Sequence, residues 1–218
     1  MITYRALGHY GRFGNQLWQI ASTIGIAHSK RQEFSFPQWE YQKYFVNDLP
    51  VMNPDEVSES LTGYLQDYRN FYGCMHMIDH YLNLKPLAGP LFKDRVFIHF
   101  RAYSNEGEQV NTTHPEQTFD YYKRAKAYFK GMKFVVFSDD VQKAKKVIGN
   151  KCIYYHNADP MIDFYQMTQC QAGIISNSSF SWWAGYLSKS MIVMPKEWYG
   201  KNSRYPTAGL HFPCWEIM

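Results

Sequence analysis

Five short apolar runs alternate with helical patterns along the second half of the chain, and this alternation limits the possible folds more than any other feature. The runs are 95–100, 134–137, 152–155, 172–175 and 191–194, and the helical patterns between them cover roughly 119–129, 140–148, 161–170 and 179–187. Strands that are apolar throughout, rather than on alternate residues, are buried on both faces, which is the property of a parallel sheet covered by helices on each side. In such sheets ligands bind beyond the C-terminal strand ends. Three polar clusters fall there: His99 with Arg101, Ser138-Asp139-Asp140, and Ser176-Asn177-Ser178-Ser179.

The first half carries a shorter version of the same pattern. A strand over Thr3–Leu7 leads through Gly8, Gly11 and Gly14 into a helix whose apolar positions are Leu17, Ile20, Ala21, Ile24 and Ala27, with Gln16 and Gln19 between them. A strand, glycine turn and helix in this order can aim backbone N–H groups at an anion, although the same turn also occurs without a ligand. Between Phe34 and Pro90, prolines at 37, 50, 54, 86 and 90 predict short helices and irregular connections, with a strand end and turn over Leu61–Tyr68. A chain of 218 residues can fold as one core or as two lobes of about 100 residues each. The boundary is predicted between Pro86 and Asp94, giving a first domain 1–90 and a second 91–218. Trp215 either returns to the first lobe or caps the second.

Composition excludes several classes. With 45% hydrophobic and 19% charged residues the chain folds rather than staying disordered. A net charge of +4 suits an anionic small molecule and lacks the basic stripe of a nucleic-acid binder. Lys143, Lys145 and Lys146 read as a solvated helix face. The four cysteines, at 74, 152, 170 and 214, form neither a CxxC pair nor a zinc spacing, so free thiols in a reducing compartment are expected and no metal site. No signal peptide is read at the N-terminus and no apolar run is long enough to span a bilayer. The expected location is therefore cytoplasmic, with membrane association only through a partner. The sequons at Asn111 and Asn177 carry no weight for a chain outside the secretory pathway. Aromatic residues make up 18%; most are expected in the core, while others can line a sugar site.

Each polar cluster has two readings. Period-two alternation puts His99 and Arg101 on one side of their strand. Arg101 then offers a planar fork to a diphosphate or forms an ordinary ion pair, and His99 contacts a nucleotide or is a structural histidine. The Asp139–Asp140 pair caps the following helix, accepts from a nucleoside, or both. Magnesium is the weaker reading there. The serine turn at 176–179 either binds phosphate oxygens at a helix N-terminus or caps that helix, with Phe180, Trp182 and Trp183 anchoring it in the core.

Taken in order, these segments resemble a known family. Residues 174–187, Ile-Ile-Ser-Asn-Ser-Ser-Phe-Ser-Trp-Trp-Ala-Gly-Tyr-Leu, are similar to the C-terminal motif of the inverting alpha-1,2-fucosyltransferases, glycosyltransferase family 11. Phe137-Ser138-Asp139-Asp140, the Tyr121–Ala125 helix, the Gly11–Ala21 signature and the Leu61–Tyr68 segment resemble further motifs of that family in the same order. The resemblance implies an α/β fold of the GT-B type, two facing Rossmann-like domains with a reduced N-terminal one. It implies metal-independent transfer from GDP-fucose as donor substrate, with no other cofactor, to an acceptor oligosaccharide. By correspondence, His99 and Arg101 fall on the donor-binding motif, with Arg101 on the diphosphate. Asp139 or Asp140 holds the nucleoside, Ser176, Asn177, Ser178 and Ser179 lie by the phosphates, and Gly11, Gly14, Asn15 and Gln16 form the facing wall. Asp67 is the candidate base, against the alternative of a turn carboxylate.

The sequence also departs from the family pattern. Ala102-Tyr103-Ser104-Asn105 stands where a second Arg and a Gly-Asp usually follow, and Tyr10 stands where a second Gly is usual. Galactoside alpha-1,2-fucosyl transfer is the expected function. The alternatives are an O-fucosyltransferase-like enzyme, a transferase for another GDP-sugar, and a catalytically impaired GDP-sugar or glycan-binding protein.

Overall fold

The computed structural model describes residues 1–103, 113–201 and 203–218. Ser104, Asn105 and the sequon asparagine Asn111 lie outside the described residues. Two compact units are formed, one from residues 1–86 and 208–210, the other from 87–207 and 211–218.

In the second unit the apolar runs become β4 (Arg95–Phe100), β5 (Lys133–Ser138), β6 (Ile153–Tyr155), β7 (Ala172–Ile174) and β8 (Met191–Met194). The intervening helices are α3 (Phe119–Tyr128), α4 (Val141–Ile148), α5 (Pro160–Thr168) and α6 (Ser179–Ser188). A sixth strand, β9 (Glu216–Ile217), has no sequence pattern of its own and pairs with β8 through Val193 and Met194. Every pairing is parallel, and the strand order is β6-β5-β4-β7-β8-β9. Numbered within the unit this is 3-2-1-4-5-6, the doubly wound Rossmann order, whose switch point lies between its first and fourth strands, here β4 and β7.

The sheet is closed by burial on both faces. Val96, Ile98, Phe100, Val136, Ile174 and Val193 pack with Tyr121, Tyr122 and Ala125 of α3 and Ala144 and Ile148 of α4. Trp182 and Trp183 of α6 are fully buried, and Trp215 packs on Trp182 and Phe212 at ring separations of 5.1 and 5.3 Å. Trp215 is thus a cap on its own unit. Gly173 in β7 admits the Phe97 ring, which would come within 2.2 Å of any added Cβ.

The first unit builds its parallel sheet from strands of two residues each, in the order β2-β1-β3: β1 (Ile2–Thr3), β2 (Phe34–Ser35) and β3 (Glu59–Ser60). The strand expected over Thr3–Leu7 stops early because the backbone turns at once, Leu7 N–H donating to the Tyr4 carbonyl and His9 N–H to that of Ala6. Helix α1 (Phe13–Ser29) fills the centre of the unit and buries nearly every side chain it carries, Gln16, Gln19, Ser22 and Thr23 among them. Gly25 lets the 70–71 backbone cross α1 in contact; an added Cβ would sit 2.1 Å from the Asn70 carbonyl oxygen. A second helix, α2 (Met75–Tyr81), and several 3-10 turns complete the unit, in keeping with the irregular connections expected of the proline-rich stretch.

Candidate functional site

The described polar groups gather at the switch point of the six-stranded sheet. His99, the fifth residue of β4, and Ser176, just beyond β7, hydrogen-bond across it, Nδ1 to Oγ at 2.8 Å. Both are buried. Burial first, and the Arg101 charge second, push the His99 imidazole down to about 3, so it is neutral at any working pH. Tyr122 of α3 donates its hydroxyl to the His99 carbonyl and Tyr121 to that of Ile175, at 3.1 and 2.6 Å. These buried phenols fix the two strand ends on either side of the crevice.

Arg101 follows β4 on the same side as His99 and remains partly open to solvent. Its Nη1 donates to Asp139 Oδ2 at 2.5 Å, and the other Asp139 oxygen accepts the Ala102 N–H at 2.8 Å. The expected nucleoside ligand Asp139 therefore holds the Arg101 side chain with one oxygen and the following backbone N–H with the other. Asp140 caps α4 through the Lys143 N–H at 2.9 Å, so the capping alternative is realised in Asp140.

Tyr103, at a position where the sequence leaves the family pattern, has a structural role that sequence reasoning missed. Its ring lies under the Arg101 guanidinium at 5.1 Å, and its hydroxyl donates to the Asn177 carbonyl at 2.8 Å, tying the arginine loop to the serine turn. Its backbone takes φ +54°, a costly left-handed conformation for a non-glycine residue and one of the kind that collects at functional sites. Lys143, read as part of a solvated face, instead turns back to the Ala102 carbonyl and pairs with Glu116.

Within the serine turn the residues divide. Ser176 is taken up by His99, and Asn177 is buried, its amide nitrogen donating to the Pro115 and Trp198 carbonyls at 2.7 and 3.0 Å. Asn177 is thus a brace inside the turn and unsuited to carry a glycan. Ser178 and Ser179 remain partly exposed at the start of α6, beside Phe180, whose ring packs against His99 and Phe164. A helix start of ten residues with hydroxyls at its mouth is a place where anions are favoured.

One further carboxylate lies at the β6 end of the sheet. Asp163 of α5 is buried and accepts from the Asn157 N–H at 3.0 Å, with His156 Nδ1 3.4 Å away. Burial raises its carboxyl to about 6, against the pull of His156. In the sequence it resembles an ordinary first-turn acid after Pro160, so nothing marks it out.

The predicted wall residues lie in the first unit. Gly11 takes φ +79°, and an added Cβ would meet Asn15 at 2.8 Å. Asn15 Oδ1 accepts from Gln66 Nε2 at 2.8 Å. Gly14 is buried in the first turn of α1. Gln16 is buried as well: its Nε2 donates to the Gly11 carbonyl at 3.0 Å and its Oε1 accepts from Trp39 Nε1 at 2.7 Å, so it holds the glycine loop closed. Asp67 begins a 3-10 turn, accepting the Arg69 N–H at 3.0 Å and pairing with its guanidinium at 2.5 Å. Burial pushes the Asp67 carboxyl up, but Arg69 outweighs it and holds the group below the usual carboxylate range. Among the described residues no group of three or more His, Cys, Asp and Glu could hold a metal, and no helix is long and apolar enough to cross a membrane.

Two Rossmann-like units, one with a polar switch point, define the GT-B glycosyltransferase fold. The NodZ alpha-1,6-fucosyltransferase soaked with GDP-fucose is similar in fold, with a TM-score of 0.52 and 14% identity over 89% of this chain and 94% of that one. The family model of glycosyl transferase family 11 matches residues 116–207. The O-antigen biosynthesis glycosyltransferase WbnK of Escherichia coli is 33% identical over 97 residues, covering 39% of this chain and 32% of that protein. An alpha-1,2-colitosyltransferase of Escherichia coli is 29% identical over 95 residues, 38% of this chain and 32% of that one. The matched segments thus span about a third of the length of these relatives.

Proposed function

We propose that this chain transfers L-fucose from GDP-beta-L-fucose to a hydroxyl of an acceptor glycan, O-2 of a terminal galactose, with inversion at the sugar carbon. The observation that carries the reading is Arg101 at the switch point, braced by Asp139 and by Tyr103, whose hydroxyl is tied to the turn before α6. An arginine and a helix N-terminus at that point of a Rossmann sheet suit a diphosphate, and the match of residues 116–207 to glycosyl transferase family 11 supports sugar-transfer chemistry.

In the proposed reaction the acceptor oxygen bonds to the anomeric carbon while the bond from that carbon to the diphosphate oxygen breaks. The electron pair leaves with GDP, and the acceptor proton passes to solvent or a base. Arg101 and the α6 N–H groups stabilise the charge gathering on GDP, an effect worth several kcal/mol when the donors are preorganised. Neutral His99 orders the Ser176 turn. Asp67, held ionised by Arg69, is assigned to positioning the 67–70 turn rather than to taking the proton.

The test is incubation with labelled GDP-fucose and galactose-terminated oligosaccharides in the presence of a chelator, followed by linkage determination. An alpha-1,2 product is expected. A strict metal requirement, or exclusive use of another donor, would overturn the proposal. The colitosyltransferase relative, named for transfer of a different sugar, gives a second reading its ground, so other GDP-sugars belong in the same assay.

A further inference from the structure

Tyr10 and Tyr64 of the first unit are 41% and 44% exposed and lie against each other, ring centroids 4.7 Å apart and 27° from parallel. Their backbones are pinned from beneath. Buried Gln19 donates to the Tyr10 carbonyl at 2.8 Å. On the other side, buried Tyr4 donates its hydroxyl to the Gly63 carbonyl at 2.7 Å, and buried Ser22 donates to the Leu65 carbonyl at 2.8 Å. Tyr64 is bracketed by two left-handed residues, Gly63 at φ +85° and Leu65 at φ +54°, the second of which is costly without a glycine. A Cβ added at Gly8 or at Gly63, the residue before Tyr64, would meet nothing within 4 Å. Burial, and then the nearness of Tyr10 and Tyr64, raises the Tyr4 hydroxyl to about 12.

Three part-buried hydrogen bonds and a strained backbone therefore hold the chain segments that carry two solvent-exposed aromatic rings. Rigid tyrosines of this kind supply contact area with a polar edge at little entropic cost. Their complement is a flat ligand with an apolar face and hydroxyls at its rim. A pyranose ring has this form, with C–H groups on one face and hydroxyls around it, and it needs no charged partner.

We infer that Tyr10 and Tyr64 form a docking platform for a neutral pyranose of the acceptor glycan. The inference rests on the glycosyl-transfer reading for the word acceptor, while the platform itself is tested without turnover. Lactose and a set of methyl glycosides are titrated into the full chain, with the tyrosine ring resonances followed by NMR. Lactose is expected to shift the Tyr10 and Tyr64 signals. Tyr10→Ala and Tyr64→Ala are each expected to weaken lactose binding about tenfold, the size of a good aromatic contact, and Tyr64→Phe to retain most of it. In the transfer assay the same alanine variants should raise the acceptor KM by a similar factor and leave kcat within about twofold. If no sugar moves these resonances, or only guanosine does, the platform is overturned. Sugar binding without transfer would instead leave the platform standing and remove the transferase reading. Should an alanine variant unfold, Tyr10→Phe and Tyr64→Phe with ring-shift readout decide the question on folded protein.

Discussion

The two units carry the same strand-helix-strand instruction to very different lengths. In the C-terminal unit, β4 and β5 pair over six residues each and the core between sheet and helices is apolar. In the N-terminal unit each strand has two residues, and much of the positioning falls to side chains: Gln16 and Gln19 hold the glycine loop, Ser22 and Tyr4 hold the 63–65 segment, and Asn15 holds Gln66. Where a backbone ladder is long, strand pairing and apolar burial fix the sheet itself, and side-chain hydrogen bonds gather at the strand ends and the loops beyond them. Where it is short, buried amides and hydroxyls take over that work, and each one left without its partner is costly. The first unit should therefore be sensitive to polar substitutions and the second to apolar ones.

The largest expected effect is in the apolar unit. Trp182→Ala should lower unfolding stability by about 3–5 kcal/mol, read by urea unfolding with hydrogen exchange at β7 and β8. If exchange accelerates equally throughout the first unit, the contrast between the two fails. Arg101→Ala should reduce donor-dependent turnover about a hundredfold or more, roughly 3 kcal/mol of transition-state stabilisation, with little change in the melting temperature. Preserved turnover in folded protein would remove Arg101 from the proposed role.

In the polar unit, Gln16→Leu removes the acceptor for buried Trp39 Nε1 and should cost about 1–3 kcal/mol. A cost below about 0.5 kcal/mol, the size of an ordinary surface substitution, would show that the glycine loop does not depend on its side-chain brace.

The smallest effect concerns pH within the C-terminal unit. His99 is depressed from about 6.5 to about 3 by folding, so the unfolded chain binds more protons in that window. Its contribution is fully present above about pH 6.5 and is lost as pH falls. Asp163 is raised from 3.8 to about 6, so here the folded chain binds more protons, and stability is lost as pH rises through that range. The two oppose each other between about pH 4 and 6. Asp163→Asn should remove the second and make stability climb more steeply with pH across that interval, measured as urea midpoints at pH 4.5, 5.5 and 6.5. An unchanged slope would mean that Asp163 titrates normally.

Much of the C-terminal unit was legible in the sequence because each central strand, buried on both faces, is a continuous apolar run. The edge strand β9 was not, since a two-residue exposed strand carries no period. For the same reason Thr3–Leu7 was read as too long a strand: its apolar residues are buried through turns, which alternation cannot distinguish from pleat. At the site, the strand-end positions of His99, Arg101, Asp139 and Ser176 could be read from spacing. The bond from Tyr103 to the serine turn, the turning of Lys143 onto Ala102, and the burial of Asp163 could not, because each depends on neighbours many residues away.

By itself the sequence determined where strands and helices alternate and which polar residues stand at their ends, because backbone periodicity and apolar burial are local properties. Only the tertiary structure decided what those polar residues touch: His99 to Ser176 across the switch point, Asp139 to Arg101, Gln16 to Trp39. A side chain's partner, and with it its charge and freedom to meet a ligand, is set by which segments the fold brings within a few ångströms.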